Sequence, residues 1–186
     1  MNEKKNLNTE ETFALAVQNH QKNNLKIAEN LYKETLKTNP NHVDAHNNLG
    51  IVFKELGELQ KAVDCYQKVI QIKPDRVEDA HIGLGVVFRE LDEPQKAISC
   101  YEKAIQINPN YVNAYNNLGT ILGELNHINE AKKNFEKSLN LDPNKKKTFE
   151  GYGNLLLKLN QHDKALAYIK KGTGFIIFTQ KNCKII

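Results

Sequence analysis

No stretch of this 186-residue chain approaches the run of about 18 apolar residues that a membrane-spanning helix needs. No apolar segment follows the basic residues of Met1-Asn2-Glu3-Lys4-Lys5-Asn6 either. A secretory signal is therefore not supported, and a cytoplasmic protein is expected. Arginine is nearly missing: Arg76 and Arg89 are the only two among 26 basic side chains, and the net charge is only +4. Recognition of phosphates and base edges favours the planar guanidinium fork, so no nucleic-acid partner is expected. Cysteine is scarce as well. Cys65, Cys100 and Cys183 form an odd set without CxxC spacing, which gives neither a disulfide framework nor a zinc site. Cys65 and Cys100, at equivalent places in neighbouring repeats, are expected to be small, partly buried thiols, and a reducing compartment fits them. GxSxG, HExxH, DxDxDG and Walker-type loops are all wanting, so no catalytic constellation, metal or other cofactor is expected. Hydrophobic residues make up 40% and charged residues 26% of the chain, the balance of a soluble globular protein.

What the sequence does have is a rhythm. Pro40, Pro74, Pro109 and Pro143 are separated by 34, 35 and 34 residues. Aligned on them, His46-Asn47-Asn48-Leu49-Gly50, His81-Ile82-Gly83-Leu84-Gly85 and Tyr115-Asn116-Asn117-Leu118-Gly119 fall into register. Each is followed at a fixed distance by an alanine and then an aromatic: Ala62 and Tyr66, Ala97 and Tyr101, Ala131 and Phe135. Looser copies stand on either side, one with Ala16, Ala28, Tyr32 and Pro40, another with Phe149, Gly153, Leu156 and Ala165.

Each residue type has a physical reason. Every unit carries two apolar stripes at helical spacing, such as Leu49, Val52, Phe53 and Leu56, then Leu59, Val63, Tyr66 and Ile70. Small residues at Gly50, Gly85, Gly119 and Gly153 let two backbones approach, and the aromatics fill the space between successive helix pairs. Asn23, Gly57, Asp92, Asn126 and Asn160 sit between the two helices of each unit. All five types tolerate the left-handed conformation that ends a helix. Pro94 belongs at a helix start, where its missing N–H costs nothing, whereas the timekeeping prolines end each second helix.

This pattern resembles the tetratricopeptide repeat, in a bacterial-type array similar to the repeats of O-GlcNAc-transferase-like proteins. The resemblance implies an all-α, right-handed α-solenoid of about five helix–turn–helix repeats over residues 9–172, divided near 9–42, 43–77, 78–111, 112–145 and 146–172. Repeat three gains a residue around Asp75-Arg76-Val77, and the outer repeats are degenerate. In such arrays the first helix of each pair lines a concave groove that holds a protein or peptide. The groove residues implied here are Asp44, Asn47, Asn48, Ile51 and Lys54, then Asp79, Ile82, Val86 and Arg89. Asn113, Asn116, Asn117, Thr120 and Glu124 continue the set, and Lys147, Glu150, Asn154 and Lys158 close it. Asn48 and Asn117 match the asparagine ladder with which the O-GlcNAc-transferase type grips a peptide backbone. The ladder is broken by Ala14, Gly83 and Gly151. Bracing of neighbouring helices is the alternative role for the two amides. At the carboxylate-clamp positions of co-chaperone arrays only Asn48 fits, and Asp79 would repel the ligand.

Residues 1–8 are expected to be disordered. At the other end Lys171-Gly172-Thr173-Gly174 is expected to break the fifth unit, and Phe175-Ile176-Ile177-Phe178-Thr179 has strand character. For residues 173–186 three readings stand: a cap over the last helix, the first strand of a further domain, or an exposed interaction segment. The functional expectation is a non-catalytic scaffold for protein–protein interaction, binding a peptide or partner helix in the groove. One alternative is the N-terminal portion of a larger enzyme of glycosyltransferase, sulfotransferase or oxygenase type. Another is self-association through the C-terminal face.

Overall fold

The computed structural model describes residues 7–73, 77–173, 176–179 and 182–185. Among these lie ten helices: α1 (Thr9–Gln21), α2 (Leu25–Thr38), α3 (Val43–Glu55), α4 (Leu59–Ile72), α5 (Glu78–Glu90), α6 (Pro94–Ile107), α7 (Val112–Glu124), α8 (Ile128–Leu141), α9 (Lys146–Lys158) and α10 (His162–Thr173). Two short strands follow, β1 (Ile176–Thr179) and β2 (Asn182–Ile185). The fold class is all-α, a helical-repeat solenoid with a strand hairpin appended.

The turns inside each helix pair follow from local chemistry. Asn23, Gly57, Asp92, Asn126 and Asn160 have φ of 61°, 75°, 58°, 64° and 57°. A left-handed residue there lets the next N–H reach back five residues. Glu58 donates to the Phe53 carbonyl at 2.8 Å, Glu93 to Phe88 at 2.8 Å and His127 to Leu122 at 2.8 Å. These bonds satisfy carbonyls that a helix end would otherwise strand. Pro94 opens α6, while Pro40, Pro109 and Pro143 lie just past the ends of α2, α6 and α8. Pro74, with Asp75 and Arg76, lies outside the described residues.

One correction concerns the N-terminus. Asn8 is not part of a disordered leader: its side chain accepts from the Glu11 N–H at 2.9 Å while Glu11 accepts from the Asn8 N–H at 3.0 Å. This reciprocal pair caps α1. Residues 1–6 lie outside the described residues. α10 ends at Thr173, within the Lys171-Gly172-Thr173-Gly174 segment, and Gly172 sits in its final turn. A Cβ there would come within 2.9 Å of Glu150 Cγ and 3.0 Å of the Lys146 carbonyl, so this glycine marks close packing of α10 on α9. Beyond it, β1 pairs antiparallel with β2, Ile176 opposite Ile185 and Thr179 opposite Asn182.

The chain divides into two compact units, residues 1–100 and 101–186. In the first, α1 touches α3 and α3 touches α5, so the odd helices form one layer. Behind them α2 packs on α1 and α3, and α4 packs on α3 and α5. Tyr32, Val52, Phe53 and Tyr66 fill the space between the layers and are almost wholly buried. At the edge Lys26 bridges Glu29 and Glu58, each at 3.1 Å, Lys33 meets Glu29 at 2.6 Å, and Lys61 pairs with Glu58. In the second unit α7 packs on α8 and α9, and α9 on α10, around buried Ile121, Phe135, Leu156 and Ile169. Phe135 stacks on Tyr152 with centroids 5.4 Å apart, and the Tyr152 hydroxyl donates to Glu136 at 3.1 Å. Ser138 and Thr148, both fully buried, satisfy each other across α8 and α9 at 2.7 Å.

Candidate binding surface

The expected groove residues fall on the odd helices, and each unit presents its own set. On α3 of the first unit Asp44, Asn47, Asn48, Ile51 and Lys54 recur at three- and four-residue intervals, which puts them along one side of the helix. Asp44 is exposed and the other four are half-buried. On α5 Asp79 and Arg89 are exposed, while Ile82 and Val86 between them are half-buried. At the far end of α1, His20 Nε2 meets Glu55 on α3 at 3.1 Å, joining the two odd helices.

The ladder positions have a structural logic that the sequence pattern does not disclose. Three of them, Asn48, Gly83 and Gly151, meet the aromatic residue of the preceding even helix. Asn48 interacts with the buried Tyr32 hydroxyl, whose pKa burial raises and the amide lowers in part. At Gly83 a Cβ would lie 2.5 Å from Tyr66 Cζ, and at Gly151 it would lie 3.0 Å from Phe135 Cε1. Glycine stands at those two places because a ring passes there. Burial raises the pKa of the Tyr66 hydroxyl, as it raises that of the Cys65 thiol beside it in sequence, to about 12 for the latter. A thiol so protonated is a packing group rather than a nucleophile.

On α7 of the second unit, Asn113, Asn117 and Thr120 are half-buried. Asn116 is only 8% exposed. Its Nδ2 donates sideways to Asn117 Oδ1 at 3.3 Å, and the Thr120 hydroxyl turns back onto its carbonyl at 2.9 Å, so this turn of α7 bonds largely to itself. On α9 Asn154 and Lys158 are exposed, as is Glu124 on α7.

Between α7 and α9 lies a pocket of about 210 Å³. Its apolar lining comes from Phe135 and Leu155 and from the bare backbones of Gly119, Gly123 and Gly151. Thr120, Glu124, Asn154 and Lys158 supply its polar groups. Lys158 Nζ donates to the Gly123 carbonyl at 3.0 Å, a cation at the C-terminal turn of α7 where the helix dipole favours it. Sequence reasoning identified the polar residues but missed the pocket. Its signal was present in the run of glycines at 119, 123 and 151, all placed on the odd-helix side.

The histidines serve the scaffold. His46 Nε2 lies 2.9 Å from the Pro40 carbonyl, and at the equivalent place the Tyr115 hydroxyl donates to the Pro109 carbonyl at 3.1 Å. His42, one helical turn before His46, caps α3 by accepting from the Ala45 N–H at 3.2 Å. Among the described residues no group of three or more His, Cys, Asp or Glu could hold a metal ion, and no helix is long and apolar enough to cross a membrane.

Comparisons with known proteins agree with this architecture. Sequence profiles of the tetratricopeptide repeat match residues 43–76, 78–111 and 100–133. Over 46 residues the chain is 41% identical to the ycf37 protein of Pyropia yezoensis, a match spanning 25% of this chain and 26% of that one. Among solved structures, MamA is 25% identical with a TM-score of 0.70, covering 84% of this chain and 91% of its own. PilF of Pseudomonas aeruginosa, at 24% identity, gives a TM-score of 0.78 over 90% of this chain and 77% of its own. YrrB, described as a tetratricopeptide-repeat protein with an unusual peptide-binding site, is 22% identical, with a TM-score of 0.64 over 90% of this chain and 86% of its own.

Proposed function

Because the chain belongs to the tetratricopeptide-repeat family, and its general role is accordingly protein interaction, we propose that it holds an extended peptide or a partner helix against its odd-helix faces. The observation that carries this reading is the pocket of α7 and α9. An apolar hollow edged by an amide, a hydroxyl and two opposite charges suits a peptide, whose side chains need burial and whose backbone needs a donor and an acceptor. Asn154 and Asn117 supply such amides on the second unit, and Asn47 and Asn48 on the first. Asn48 also lies beside the Tyr32 hydroxyl of α2, where it can brace α3. Charges of both signs stand on each face: Asp44, Lys54, Asp79 and Arg89 in one unit, Glu124 and Lys158 in the other. Shape and amide contacts, more than long-range steering, then decide which partner is held. The chain acts as a scaffold on this reading, with no chemistry of its own.

The test uses the full chain to select binders from a random peptide library displayed on phage. Selected peptides should weaken at least tenfold when Asn117→Ala and Asn154→Ala are combined. They should bind unchanged when Glu102→Ala and Lys133→Ala alter the exposed sides of even helices. Equal binding by the two double variants would place the site elsewhere.

A further inference from the structure

Tyr66 and Phe135 stand at equivalent positions of two repeats, each beside a glycine of its own odd helix and a glycine of the next. Tyr66 approaches so closely that Cζ, Cε1 and Cε2 would all lie within 2.9 Å of a Gly83 Cβ. Phe135 lies further back, with Cε1 and Cζ at 3.0 Å and 3.2 Å from a Gly151 Cβ, and it carries no hydroxyl. Beside it the pocket of about 210 Å³ opens, with Phe135 and Leu155 as its apolar side chains. From this contrast, and resting on the peptide-binding reading above, we propose that the pocket is the anchoring subsite for one aromatic side chain of the bound segment.

Size and charge both favour that occupant. A cavity of about 150 Å³ lined by apolar side chains is known to take a benzene ring. The pocket here has room for the ring with its methylene. A ring entering it would meet the Phe135 ring, and aromatic pairs gain beyond their buried area. Glu124 and Lys158 together bring no net charge to the rim, so an ionised occupant would gain little for the cost of its desolvation. Asn154, exposed on α9, offers an amide to the backbone on either side of the anchor. An alanine side chain would leave the hollow unfilled, and an aliphatic one would forgo the ring contact.

The experiment titrates the full chain with N-acetyl-phenylalanine amide, following the backbone amides of Gly119, Gly123 and Gly151 by NMR. For a ligand this small a Kd on the order of a millimolar is expected. N-acetyl-alanine amide should give no saturable shift, and N-acetyl-leucine amide a weaker one. Phe135→Tyr extends a hydroxyl toward Gly151 and should raise the Kd at least fivefold. Tyrosine at Tyr32 and Tyr66 shows that the repeat accepts it. Gly123→Ala narrows the opposite wall, where the new methyl would meet Leu155 Cδ1 at 3.2 Å, and should weaken binding similarly. Absence of saturation, leucine equal to phenylalanine, or indifference to both substitutions would each overturn the assignment. The two readings fail separately. Library peptides lost on the Asn117/Asn154 double variant but untouched by Phe135→Tyr would remove only the anchor. Saturable phenylalanine binding without any selected peptide would remove the peptide-binding role instead.

Discussion

Replacing Gly83 by alanine tests the packing logic of the ladder positions most directly. Helix propensity alone predicts a gain of about 0.5–1 kcal/mol, since glycine is a poor residue inside a helix. The structure predicts the opposite sign. A Cβ at position 83 would lie 2.5 Å from Tyr66 Cζ, and the ring has little room to shift, because it is already so near Gly50 that a Cβ there would be at 2.9–3.3 Å. Either the ring leaves its rotamer or α5 moves off α4, and overpacking of this kind costs about 1–3 kcal/mol. Contact this short belongs at the upper end of that range, so the net loss should be about 2 kcal/mol. For a protein of this length that corresponds to a fall of about 4–8 °C in Tm. Thermal unfolding followed by circular dichroism would measure it. Gly123→Ala supplies the contrast, because its methyl meets only the flexible Leu155 Cδ1 at 3.2 Å and Ala131 Cβ at 3.8 Å, and it should melt within about 2 °C of the parent. A cycle with Tyr66→Leu completes the case. In that background most of the Gly83→Ala penalty should vanish, giving a coupling of at least about 1 kcal/mol. A Gly83→Ala variant as stable as the parent, or an undiminished penalty beside leucine, would refute the reasoning.

Two further expectations follow from particular contacts. The Glu29 carboxyl is held below its usual pKa by Lys33 and Lys26, and Glu58 by Lys61 and Lys26. Their contribution is therefore present above the unfolded carboxylate pKa and is lost as pH falls through the folded one, so Glu29→Gln should lower Tm at pH 7 and lose that effect progressively in acid; a Tm difference independent of pH would contradict the pairing. Asn126 has φ of 64°, so Asn126→Ala should cost about 1 kcal/mol and Asn126→Gly less than half of that, read from urea unfolding, with equal losses for the two counting against a left-handed turn.

The helix pairs were legible because their signals are local and repeated. Proline at Pro40, Pro109 and Pro143, a left-handed residue at Asn23 or Asn126, and apolar stripes such as Leu49, Val52 and Phe53 act within one or two turns of themselves. Contacts between helices are not written in that spacing: Gly172 packs so closely on α9 that a Cβ would meet Glu150 and Lys146. The Asn8 exchange with Glu11 is local, three residues apart, and is missed by treating the leader as uniformly polar. Asn116 and Asn117 carry the same side-chain chemistry, and the fold buries the first while leaving the second half-exposed.

Spacing along one chain was enough to fix the helices, their pairing and the family, because periodicity and turn chemistry are local; the strand Asn182–Ile185 and its pairing with Ile176–Thr179 were not read from it. Which ladder positions give way to a ring was decided only in three dimensions. So was the hollow beside Phe135, because room is set by how far side chains from α7, α8 and α9 reach toward one another. No spacing along the chain records that distance.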